Sequence, residues 1–238
     1  MDNVSQQLLV QGFSAFAGAF FAFLFLRLAE FFSKLYTRQA KHYNSLVILE
    51  TQLNEIIGLI NDNLYLLPDF RRVITSGHIY FNSLHTLPID RSHLESLHDL
   101  DLINELFSYF YQVRKVNTDI TTMAAGYIEI KNALIQKNIE PQDYKVNAGL
   151  QAENLKLLEV FLKDLEERTI KLMARIRVQT KKEIPLGTLL QQFFIRTSEG
   201  KLKKEDIDKE IVKLNSEIES EREKSRKEIE EALRKHKE

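Results

Sequence analysis

From Asn3 to Leu26 the chain carries no charged side chain, and no other stretch constrains its fold as strongly. A bilayer core about 30 Å thick takes roughly 20 mostly apolar helical residues to cross. Leu8 to Leu26, chiefly Phe, Ala, Gly and Leu, supplies that length, and Val4 to Gln7 extends it towards the head-group zone. The flank then turns polar, with Arg27, Glu30, Lys34, Arg38 and Lys41. A buried core helix is the competing reading, but soluble helices rarely run this far without a charge. A cleaved signal peptide would want a basic N-terminus and a shorter apolar run. Here Asp2 precedes the run, and the small-residue candidates for a cleavage site, around Ala15, Ala17 and Ala19, lie inside it. The expectation is a retained transmembrane anchor over residues 1–33, with its span at 8–26.

Arg27, Lys34, Arg38 and Lys41 all follow the span, and cationic flanks stay cytoplasmic. That predicts an outside N-terminus and a cytoplasmic body, in a bacterial-type single-pass protein. The absence of Cys agrees with a reducing compartment without requiring one. The same four cations are the set best placed to meet anionic lipid. Within the span, Ser14, Gly18 and Ala22 recur at four-residue spacing, beside a stripe of Phe13, Phe16, Phe20 and Phe23. Small residues so spaced let two membrane helices approach closely, so this is the expected packing face.

The rest of the chain reads as all-α. Only 8 Gly and 4 Pro punctuate 238 residues, and apolar positions recur at helical rather than alternating spacing. The first helix should leave the membrane and continue with Leu46, Leu49, Leu53, Ile56, Ile60 and Leu67 as a heptad seam, Asn63 replacing one apolar position. Pro68 is expected to end it. Residues 68–91 then form an irregular distal tip. A short helix is expected from Asp69 to Ser76, stopped by Gly77, and an extended run over His78 to Leu84, with a Ser76-Gly77 hairpin as the competitor.

A capping box at Ser92 and Glu95 opens the second helix. Its two seams, one through Leu106, Phe110 and Val113 and one through Leu102, Tyr109 and Val116, imply two neighbours. Pro141 opens a third helix that runs to about Lys182, with Leu155, Leu158, Leu162, Leu165, Leu172 and Ile176 as its seam. Residues 34–183 are therefore expected to form an elongated antiparallel, coiled-coil-like bundle, with residues 138–141 nearest the membrane. Residues 184–238 add a short apolar helix at 186–195 and a charged helical arm that either packs on the bundle or projects from it.

Chemistry is sparse. There is no nucleophile elbow, no phosphate-cradling glycine loop and no Cys nucleophile, so no enzyme is expected. His78, His85, His93 and His98 cluster in sequence with Asp90, Asp99 and Asp101. Only His98, Asp101 and Glu105 have helical ligand spacing, and they read as solvated polar residues rather than a metal site. No cofactor is expected. A net charge of −1 offers no bulk electrostatic case for nucleic acid. Arg168, Lys171, Arg175, Arg177, Lys181 and Lys182 gather at the end of the third helix, where they complement the helix dipole or face an acidic partner. The functional expectation is a scaffold that self-assembles or holds a soluble cytoplasmic protein at the bilayer. A membrane-perturbing effector that acts by clustering its span, of the toxin or phage-defence type, is the alternative.

Overall fold

The computed structural model describes residues 3–76, 84–182 and 203–235, with side chains described from residue 11 and, in the last segment, up to 224 and at 227. Its regular elements are helices, with no strand among the described residues: α1 (Asn3–Ser76), α2 (Leu100–Ile135), α3 (Pro141–Lys182) and α4 (Lys204–Lys235). The extended run or hairpin expected at 77–83 and the short helix at 186–195 lie outside them. Two compact units divide the chain, Met1–Asn44 and Ser45–Glu238.

The first unit is helix alone. Of its side chains from Gln11 to Lys34, all are exposed except the half-buried Ala17. This is the one helix among the described residues that is long and apolar enough to cross a membrane.

The second unit is a helical bundle whose core follows the seams. Leu46, Leu49, Leu53, Ile56, Ile60 and Leu67 of α1 are fully buried, as are Leu102, Leu106, Tyr109, Phe110 and Val113 of α2 and Leu155, Leu158 and Leu162 of α3. Pro68 does not end α1. Its ring lies on the exposed side, while Leu67, Phe70 and Ile74 continue the buried stripe at helical spacing. Their burial, worth about 1.5–3 kcal/mol per large apolar side chain, offsets the one backbone hydrogen bond that proline removes. The helix ends instead at Ser76, where the Tyr144 hydroxyl donates to the last-turn carbonyl of Ile74 at 3.2 Å.

Nor does the Ser92–Glu95 box open α2. Residues 94–96 make only a single tight turn. The helix starts at Leu100 because Asp99 is the stronger cap: its Oδ1 accepts from the amides of Asp101 and Leu102 at 3.0 and 3.1 Å. Residues 84–99 form a strap whose Leu84, Leu87, Leu94 and Leu97 are buried. Two asparagines hold it. Asn63 donates to the His85 carbonyl at 2.8 Å and accepts from its amide at 2.6 Å. Asn117 does the same for Leu87, both at 2.8 Å. Each side-chain amide thus pairs with a backbone donor and acceptor of a strap that has no helix or sheet ladder of its own.

Cross-helix pairs set the directions. Tyr109 meets Thr169, Lys115 stacks on Phe161, and Asp99 and Glu105 bind Arg175, so α2 and α3 run opposite ways. Within the second unit, residues 138–141 lie at the end that holds the close of α1. Tyr144 reaches Ile74 and Phe70 packs edge-on against Tyr127, whereas Arg177 near the end of α3 bonds Glu50. This placement follows from the strap. It carries the chain back along the bundle before α2 begins, so α2 rises in the direction of α1.

Candidate interaction sites

The residues of the expected anchor lie on one helix. Ser14, Gly18 and Ala22 are exposed, and the Ser14 hydroxyl donates to its own helix at the Gln11 carbonyl. A Cβ placed on Gly18 meets nothing within 4 Å. Phe13, Phe16, Phe20 and Phe23 are 75, 70, 51 and 59% exposed, which water would penalise heavily and lipid would not. Arg27 lays its guanidinium over the Phe23 ring at 5.3 Å and pairs with Glu30 at 3.2 Å. Arg27, Lys34, Arg38 and Lys41 are all exposed. Their spacing of seven, four and three places them on one helix face, within about 60° at 100° per residue.

Five of the six cations at the end of α3 pair with carboxylates of this chain, Arg175 and Arg177 from half-buried positions and Lys171, Lys181 and Lys182 from exposed ones. Arg175 donates to Glu105 at 2.6 Å and to Asp99 Oδ2 at 2.8 Å, so Asp99 caps α2 with one oxygen and binds α3 with the other. Burial alone would raise the Asp99 pKa, but the Leu102 amide and the Arg175 guanidinium outweigh it and hold the carboxyl below its ordinary range. Arg177 joins three helices. It bonds Glu50 of α1 at 2.6 Å and Glu217 of α4 at 2.9 Å, with Glu210 at 3.7 Å. Lys181 bonds Glu210 at 2.6 Å, Lys182 pairs with Asp206 at 3.2 Å, and Lys171 pairs with Glu167 one turn away at 2.6 Å. Arg168 acts electrostatically on the Tyr109 hydroxyl. The carboxylates these cations meet are thus those of their own chain.

Those pairs also place the arm. α4 packs on the bundle through buried Leu214 and Ile218, half-covered Ile207 and Ile211, and Arg222, which bonds Asn61 and Glu166. The side chains of Ile229 and Leu233 lie outside the described residues.

No metal-holding group of three or more His, Asp or Glu forms among the described residues. His93 pairs with Asp90 at 3.5 Å, Asp99 and Glu105 are committed to Arg175, and His78 is outside the described residues. The strap clamp and the double use of Asp99 leave little trace in the sequence. Asn63 is visible there as a polar interruption of a seam, but Asn117 carries no such mark. No protein family matches the chain, and neither a curated protein nor a solved structure is significantly similar to it.

Proposed function

We propose that this chain is a single-pass, membrane-anchored scaffold. In this reading its N-terminal helix spans the bilayer, with the N-terminus outside and the helical body in the cytoplasm. The body self-assembles or holds a soluble protein at the membrane face. The observation that carries the reading is the uncharged, Phe-rich start of α1, whose side chains from Gln11 to Leu26 find almost no cover within the chain. Four cations on one face directly after it support a cytoplasmic, lipid-contacting flank. Long packed seams and the internal pairing of the α3 cations favour binding over catalysis.

Membrane fractionation with an alkaline carbonate wash tests the anchor. The full chain should stay in the pellet, and its release into the supernatant would end this reading. Orientation is tested on the Cys-free chain with single cysteines. Ser5→Cys should react with an impermeant maleimide on intact cells and Lys41→Cys only after permeabilisation. The opposite pattern would invert the topology.

A further inference from the structure

We propose that the basic face of α1 just beyond the uncharged run binds anionic phospholipid, with Lys34 and Arg38 as the residues that carry the attraction. This deepens the lipid-contacting flank of the function proposed above and rests on the span. Between Asn3 and Leu49 the one carboxylate is Glu30, so Arg27, Lys34, Arg38 and Lys41 leave that stretch at +3 in a chain whose total is −1. Positive charge is thus gathered on the helix that carries the uncharged run, and the rest of the chain is acidic on balance. Phe31, 52% exposed, stands on the same face as the four cations.

Distance is what selects lipid. The helix is unbroken from the run into the basic face, so its rise fixes how far each cation stands from the bilayer. With Leu26 at the hydrocarbon edge, Lys34, Arg38 and Lys41 start about 12, 18 and 22 Å beyond it. The head-group layer takes up about 5–7 Å of that. Helical side chains lean towards the N-terminus, here back towards the bilayer. The long stem of Lys34 therefore carries its ammonium to the head groups, and the Arg38 guanidinium comes within about one Debye length of them, ~8 Å. Lys41 is the farthest out and the most screened. Arg27 is the nearest, but Glu30 at 3.2 Å matches its charge and its guanidinium lies over the Phe23 ring. The net attraction falls to Lys34 and Arg38. A cation near an anionic surface is worth about fivefold in affinity. A soluble acidic partner would use Lys41 as readily as Lys34, so the order of depth separates the two occupants.

The test is lipid quenching of the full-length chain in vesicles. The native chain has no tryptophan, so Phe31→Trp supplies a single reporter on the basic face. Brominated phosphatidylglycerol should quench it with a relative association constant about fivefold or more above that of brominated phosphatidylcholine. That preference should fall to near one in about 1 M NaCl, where the Debye length is about 3 Å. It should fall likewise in the Lys34→Gln/Arg38→Gln chain, while Lys41→Gln changes it by less than about twofold. Equal quenching by the two lipids would overturn the lipid site. A preference that survives Lys34→Gln/Arg38→Gln would overturn its assignment to these residues, and its loss on Lys41→Gln alone would overturn the order of depth. Carbonate extraction of the same vesicles keeps the failures apart. A chain that stays in the membrane without a preference loses the lipid inference alone, and a chain that is extracted loses the span as well.

Discussion

Asp99 shows how much one side chain can organise here, since its two oxygens cap α2 and bind Arg175 of α3. Arg175→Ala should destabilise the chain by about 1.5–3 kcal/mol, the worth of a hydrogen bond to a charged group, read as a lower denaturant midpoint. The pH dependence has a definite sign. Asp99, Glu159 and Glu217 all have lowered folded-state values, against ordinary ones of 3.8, 4.5 and 4.5. Their contribution is therefore complete above the ordinary values and lost as pH falls below 4.5 and then 3.8 through the folded ones. Asp99→Asn keeps a capping oxygen but removes the charge, so it should flatten the acid limb of a stability–pH curve. An unchanged limb would assign the acid loss to the glutamates. Lys137 gives a stabilising counterpart. It closes α2 with φ of 60°, its amide on Leu134 and that of Asn138 on Ala133. Glycine adopts that conformation at little cost, so Lys137→Gly should raise stability by about 1 kcal/mol in a melt.

At the scale of elements, α1, α2 and α3 are legible in the sequence because their seams are long and their apolar positions regular. Leu158 and Leu106, which spacing alone places on seams, are fully buried. Leu106→Ala should cost about 2–5 kcal/mol, and near-unchanged melting of that variant would remove the seam assignment. What is not legible is the path between α1 and α2. Proline and a capping box are local signals, and burial overrides both: Phe70 and Ile74 carry α1 past Pro68, and Leu94 and Leu97 hold the strap in place where a helix start is expected. The strap depends on long-range partners, 22 residues away for Asn63–His85 and 30 for Asn117–Leu87, which no local window contains. Asn63→Ala removes both hydrogen bonds to the backbone of exposed His85, each worth about 0.5–1.5 kcal/mol. Hydrogen exchange should then quicken at His85 and Leu87 before it does in the α3 core. Uniform quickening would mean the strap is no separate unit.

At the scale of the whole molecule, much of the charge at the end of α3 is paired within the chain. The chain has 33 Lys and Arg against 34 Asp and Glu, and the cations at the end of α3 are matched by carboxylates of its own helices. The uncharged start of α1 is different, with Ser14, Gly18 and Ala22 exposed on one helix. Gly18→Leu separates a packing anchor from a passive one. Within the chain the new side chain meets nothing within 4 Å of its Cβ, and leucine is a better helix former than glycine by about 0.8–1 kcal/mol. Any loss of association therefore reports contact with another span. The detergent-solubilised Gly18→Leu chain should have a lower mass than the native one. If the native mass is a high-order homo-oligomer and Gly18→Leu also relieves growth inhibition on expression, the span itself is the active part, as a clustering effector requires. If Gly18→Leu changes neither mass nor growth, Ser14, Gly18 and Ala22 are ordinary span residues and association belongs to the body alone.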